Sequence, residues 1–154
     1  MIKIMFVCHG NICRSPMAEF VMKDMAKKQG IADKLYIASA ATSTEEIGNP
    51  VHHGTRNKLA EHGISVDGKT AVQLRRDDYA KYDYIIGMDD TNMYYIMRIF
   101  HWDLEKKVHK LLEFSGDGRD VLDPWYTGNF DATYNDIVEG CTALMNDIRS
   151  KYNI

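Results

Sequence analysis

Val7-Cys8-His9-Gly10-Asn11-Ile12-Cys13-Arg14-Ser15-Pro16 puts a thiol at the end of an apolar run, a guanidinium six residues later and a helix start directly behind. Those parts can hold a phosphate dianion over a sulfur nucleophile. The Cys-x5-Arg spacing alone is weak, because three Cys and seven Arg in 154 residues would produce it by chance about once in seven such chains. The surroundings strengthen it. Residues 2–7 are short, apolar and partly β-branched, the pattern of a buried strand. Ser15 is a favoured N-cap and Pro16 a favoured first helical residue. Met17, Ala18, Phe20, Val21 and Met25 follow at helical spacing, with Lys27 and Lys28 in the last turn and Gly30 as a left-handed stop.

The turn from Cys8 to Ser15 can therefore aim its backbone N–H groups at an anion in front of a helix N-terminus. Gly10 lets the backbone take torsions closed to other residues, and Asn11 tolerates a left-handed conformation while its amide braces the loop. Converging amides, a helix start and a guanidinium all favour thiolate over thiol at Cys8. Arg14 offers a planar fork matched to two phosphate oxygens, and the Ser15 hydroxyl can donate to the sulfur. A buried structural Cys beside an ordinary cap would leave Gly10, Asn11 and Arg14 unexplained together.

This loop resembles the signature of the low-molecular-weight protein tyrosine phosphatases, and the likeness covers nearly the whole chain. It includes Met88-Asp89-Asp90-Thr91-Asn92 and Asp123-Pro124-Trp125-Tyr126. The resemblance implies a flavodoxin-like strand order and a hydrolase without metal or cofactor. Cys8, Arg14 and Asp123 would be catalytic, residues 9–15 (His9, Gly10, Asn11, Ile12, Cys13, Arg14, Ser15) would bind phosphate, and Trp125 and Tyr126 would wall the pocket. The partners it implies are tyrosine-phosphorylated proteins. From spacing alone Asp123 is as well read as part of a plain Asp-Pro turn; its acid role comes from the resemblance. Asp89 is expected to orient Arg14, or else to cap the helix behind it.

Cys13 is expected to act as a redox partner that traps oxidised Cys8 as a disulfide. Zinc is disfavoured, because Cys8 and Cys13 lack a second ligand pair. Cys141 lies on a helical apolar stripe as a core residue. His52, His53 and His62 have no clustered carboxylates and read as a solvated helix face. Two positions depart from the family pattern: Glu45 stands where many relatives have an aromatic residue, and Gly68 falls near a His that orients the loop Ser. Glu45, with Glu46, is expected at the pocket rim.

Strand-like segments at 35–39, 83–88 and 108–112 alternate with helix-like ones, which predicts an α/β fold: a four-stranded parallel sheet with helices on both faces. Asn49-Pro50 predicts a helix running to about His62, residues 115–123 a Gly/Asp-rich loop, and the stripe from Tyr134 to Ile148 a last helix. All candidate site residues then emerge at the C-terminal edge of the sheet.

At 17.7 kDa, residues 1–154 are expected to form a single domain. The net charge of −3 gives no basic footprint for nucleic acid. No apolar stretch nears the ~20 residues of a membrane span, and the six-residue N-terminal run is not a secretory signal. An odd cysteine count argues against disulfide scaffolding and for a reducing cytoplasm, and the chain is expected to be monomeric. Three rivals remain. An arsenate reductase on this fold would need relay cysteines better placed than Cys141. A protein-arginine phosphatase would tend to carry Thr at Ile12. A phosphotyrosine-binding module would lack Cys8 or Asp123.

Overall fold

The computed structural model describes residues 1–154. Strands β1 (Ile2–Cys8), β2 (Leu35–Ala41), β3 (Tyr84–Gly87) and β4 (Val108–Lys110) form one parallel sheet in the order β2-β1-β3-β4. The expected four-stranded, flavodoxin-like arrangement is thus observed, and the chain reverses direction across the sheet between β1 and β3, where such folds open a crevice.

Side chains alternate along β1 and so serve two cores. Ile4, Phe6 and Cys8 face α1 (Arg14–Lys28) and α6 (Phe130–Tyr152), joined by Met17, Met22, Ile137, Leu144 and Met145. Met5 and Val7 face the other layer, where α4 (Asp90–Phe100) contributes Ile96 and Phe100. Short helices α2 (His53–Ala60), α3 (Asp78–Lys81) and α5 (Pro124–Thr127) complete the chain.

Several local expectations are corrected. The N-cap of α1 is Cys13, with Ser15 and Pro16 already inside the first turn; Ser15 turns its hydroxyl to the Cys8 sulfur instead of to a helix N–H. Asn49-Pro50 starts no helix. Pro50 forms an isolated bridge to Thr70, and α2 begins at His53 with the His52 ring as cap. Strand β4 stops at Lys110, and Leu111 and Leu112 enter a tight turn that buries both.

Candidate active site

The phosphate loop leaves β1 at Cys8 and enters α1 at Arg14. Its carbonyls are tied outward. Cys8 O accepts from Thr42 N–H at 2.9 Å, His9 O from Ser43 N–H at 3.1 Å, and Ile12 O from His52 N–H at 2.9 Å. Cys13 O accepts from the Thr55 hydroxyl at 3.0 Å. With the carbonyls held by neighbouring elements, the amides point the other way. None of the N–H groups from Gly10 to Arg14 finds an acceptor within the chain, although Asn11, Cys13 and Arg14 are buried. Buried donors without partners are costly, and a row of them describes an anion cradle. Asn11 takes the left-handed conformation expected of it, at φ +58°, whereas Gly10 is not at positive φ, so the special torsion expected at the glycine is not used. A Cβ at Gly10 would meet the Glu46 side chain at 3.4 Å and Ile12 Cγ1 at 3.8 Å.

Cys8 is 3 % exposed, with its sulfur 3.0 Å from Ser15 Oγ and 3.4 Å from the Ser15 N–H donor. Arg14 is aimed from behind the loop. Its Nη1 donates to Asp89 Oδ2 at 2.6 Å and to Val121 O at 2.8 Å, and Nη2 lies 3.4 Å from Asp123 Oδ2. Burial opposes the Arg14 charge, but Cys8, Asp89 and Asp123 outweigh it and raise its pKa above the ordinary value. The other oxygen of Asp89 caps α4 by accepting from Asn92 N–H at 2.7 Å, so one carboxylate joins Arg14 to the helix start. Asp123 caps α5 through Trp125 N–H at 3.1 Å. Ending the strand at Gly87 and placing a Pro at 124 is what sets these two carboxylates at the sheet edge.

Cys8, His9, Gly10, Ile12, Cys13 and Arg14 share one cavity of about 300 Å³ with Glu45, Glu46, Asp123, Trp125 and Tyr126. Glu45 reaches the rim as expected, and there it pairs with His9 Nε2 at 2.8 Å. Trp125 and Tyr126 are 58 % and 83 % exposed, so they form an open wall. Burial, then the Cys8 and Asp123 charges, push the Cys13 thiol up to about 12. Cys141 is fully buried in the α1–α6 core, and burial raises its pKa too.

Other participants carry no catalytic motif. His52, expected on a solvated helix face, is half-buried at the N-cap of α2. Its ring instead stacks on Phe130 and meets Trp125 edge-on at 5.6 Å, while its backbone holds the loop. Val121 acts through its carbonyl, which carries no residue-type signal. Glu19, Ser39 and Lys69 lie behind the loop, at separations no motif records.

A thiol under unpaired amides, with a braced guanidinium and a carboxyl across the cavity, on a flavodoxin-like sheet, defines a cysteine-dependent phosphatase. The family model for low molecular weight phosphotyrosine protein phosphatase matches residues 3–153, and the chain belongs to that family. It is 40% identical over 153 residues to the low molecular weight protein-tyrosine-phosphatase YfkJ of Bacillus subtilis, covering 98% of each chain. The crystal structure of YfkJ superposes with a TM-score of 0.95 over 98% of this chain and 96% of that one. A low molecular weight protein tyrosine phosphatase from Streptococcus pyogenes, 41% identical, gives 0.83 over 98% and 93%.

Proposed function

We propose that this chain hydrolyses phosphotyrosine in proteins through a cysteinyl-phosphate intermediate. The observation that carries the reading is the cradle itself: unpaired amides from Gly10 to Arg14 around the thiol of Cys8. The Cys8 thiolate attacks phosphorus in line while the amides and Arg14 hold the three equatorial oxygens. Ser15 donates to the sulfur and stabilises it both as nucleophile and as the later leaving group. Asp123 protonates the departing phenolate, then as a carboxylate takes a proton from the water that hydrolyses the intermediate. A phenol with a pKa of about 10 leaves poorly without that proton. Ile12 and Trp125 give the cavity an apolar side suited to an aryl ring, which favours tyrosine over a phosphorylated guanidino group.

The same reading takes residues 1–154 as one catalytic domain, working as a monomer in a reducing cytoplasm where all three free cysteines stay reduced. Sedimentation at micromolar concentration tests the monomer; a stable dimer overturns it.

Cys8→Ser abolishes turnover of an aryl phosphate. Asp123→Ala lowers kcat by about 100-fold or more for tyrosine-like leaving groups and far less for activated phenols, the range expected for losing a general acid. A leaving-group series decides this: equal losses across it would remove Asp123 as the acid.

A further inference from the structure

Four carboxylates crowd the sheet edge beside the phosphate cradle, on two segments that lie against each other. Asp89 and Asp90 open α4, while Asp120 and Asp123 belong to the segment after β4 that carries the proposed acid. Two buried cations answer them. Arg14 takes Asp89 and reaches Asp123. Lys110, the last residue of β4, is 8 % exposed, and its Nζ donates to Asp90 Oδ1 at 2.8 Å and to Asp120 Oδ1 at 2.9 Å. Burial opposes the ammonium, but the two carboxylates outweigh it and raise its pKa above the ordinary value, so it stays charged through neutral pH.

The two cations grip neighbouring residues. Arg14 Nη1 joins Asp89 to the Val121 carbonyl, and Lys110 joins Asp90 to Asp120, one residue away on each segment. Asp120 Oδ1 also accepts from Asp90 N–H at 3.2 Å. Val121 is fully buried and its N–H donates to Met88 O at 2.9 Å, so that one residue is fixed without Lys110. A segment fixed at one residue can still pivot about it. Downstream, the next tie is weak. The Thr133 hydroxyl has one hydrogen for two acceptors, Leu122 O at 3.3 Å and Asn129 O at 3.2 Å, and Leu122 is exposed. Upstream, Arg119 pairs with Asp117, Asp136 and Glu139, but 41% of its side chain is open, against 11% for Lys110, and water screens such pairs. Lys110 is therefore the buried charge that fixes a second residue, directly before Val121. Two consecutive fixed residues set the line on which the chain runs to Asp123 and the buried Pro124.

We propose that Lys110 is a positioning residue for proton transfer: by tying Asp120 to the start of α4, it holds Asp123 within reach of the leaving-group oxygen. Without that cation the Asp90 and Asp120 carboxylates, now bound to one nitrogen, are left as neighbouring like charges that push the segment off α4. Asp123 then moves out of hydrogen-bond reach, where it can neither give nor take the proton. The cradle itself is unchanged, because its carbonyls are tied to β2 and α2 and Arg14 keeps Asp89.

The inference rests on the phosphatase reading, so segment and chemistry are measured separately. Lys110→Met keeps the length of the side chain and removes its charge; Lys110→Arg keeps the charge. Both are compared with Asp123→Ala and the Lys110→Met/Asp123→Ala pair, each checked for folding by thermal unfolding. Backbone order at the amides of Asp120, Leu122 and Asp123, from ¹⁵N relaxation, needs no substrate. The chemical readouts are kcat/KM over aryl phosphates from activated phenols to tyrosine, and competitive inhibition by inorganic phosphate.

Lys110→Met should lower the order parameters of those amides from the rigid range near 0.85 towards the flexible range below about 0.6. It should lower kcat/KM about ten-fold for tyrosine-like leaving groups, part of what a general acid supplies, and less than about two-fold for activated phenols. Phosphate inhibition should stay within about two-fold of wild type. Lys110→Arg should restore the wild-type pattern. In the Asp123→Ala background Lys110→Met should add less than about two-fold, because its effect passes through the acid. If Lys110→Met does not fold, Asp120→Ala cuts the same tie at its more open end and should reproduce the leaving-group dependence. Wild-type order or wild-type kinetics in folded Lys110→Met overturns the proposal, as does a loss that is uniform across the leaving groups. A full second loss in the Asp123→Ala background also overturns it, and so does weakened phosphate inhibition, since Lys110 would then act on the cradle. All of these leave the phosphatase reading standing. A wild-type chain that hydrolyses none of the aryl phosphates overturns that reading, and with it any role for Lys110 in proton transfer.

Discussion

Arg14 shows how a single residue is prepared for its ligand. It is buried at 2 % exposure, with Nη1 held by Asp89 and the Val121 carbonyl, while Nη2 has only the long 3.4 Å contact to Asp123 to exchange for phosphate oxygens. Cys13 is prepared in the opposite sense. Its thiol, pushed up to about 12 mainly by burial, stays protonated through the physiological range and is a slow nucleophile. Mild peroxide should oxidise Cys8 to a sulfenic acid, which Cys13 then captures as a disulfide, with water as the leaving group. The rate of capture should climb about ten-fold per pH unit between pH 7 and 9, since only the thiolate attacks. Thiol reductant should restore activity, and Cys13→Ser should make the loss largely irreversible. Mass spectrometry finding no Cys8–Cys13 bond in the oxidised protein would remove that role. At the rim, Glu45 Oε2 lies 2.8 Å from His9 Nε2 and Glu46 accepts from Asn49 Nδ2 at 2.6 Å. Both carboxylates still line the cavity, so peptides with basic flanks should be turned over faster than acidic ones at low salt. The difference should be under about five-fold and fade at high salt, as for exposed charges. Acidic peptides matching basic ones at low salt would mean that the two glutamates do not steer substrate.

At the scale of elements, the start of α2 fastens the site more than its sequence suggests. His52 Nδ1 accepts from Gly54 N–H at 3.0 Å, a cap that only the neutral ring can make. Burial first, and then His53, lower the His52 pKa in the folded protein; Glu46 opposes them. A depressed folded pKa gives stability that is present above the unfolded value of about 6.5 and is lost as pH falls below it. Thermal unfolding between pH 7.5 and 5 should therefore show a fall in Tm that is smaller in His52→Asn, which caps without titrating. An identical fall in both would place the sensitivity elsewhere. The phosphate loop was legible because its residue types, spacing and helix start all lie within ten consecutive positions. The α2 start was not: Asn49-Pro50 imitates a helix entry, and what overrides it is the tertiary bridge from Pro50 to Thr70. Ser15 misled for a related reason. A hydroxyl suited to an N-cap was claimed by a sulfur that precedes it by seven residues.

Over the whole molecule, the alternation of apolar strands and periodic helices was enough to give the layers and the edge carrying the site. The strand order came from family likeness, and the packing of α6 on the sheet could not be read at all. That packing depends on Gly140, which carries no side chain to announce it. A Cβ there would sit 2.4 Å from Leu111 Cγ, and Leu111 is fully buried just past β4. Leu111, Ile137, Cys141 and Leu144 belong to the core that also contains Cys8. Gly140→Ala brings two opposed effects. Alanine is the better helix former by about 1 kcal/mol, while overpacking a close core contact costs about 1–3 kcal/mol. The clash wins, because Leu111 is wedged between α6 and the sheet edge and has no solvent to move into. Gly140→Ala should lower stability by about 1–2 kcal/mol in denaturant unfolding, without altering the slope of the transition. The phosphate loop is held by α2, β2 and the Arg14 contacts, whereas the close approach at Gly140 is to Leu111. Turnover of an aryl phosphate at 25 °C should therefore stay within about two-fold of wild type. Leu111→Val in the same chain should recover part of the loss by making room for the new methyl. A Gly140→Ala variant as stable as wild type would show that α6 slides on the sheet edge. One that is stable but slow would show that the position of α6 reaches the loop after all.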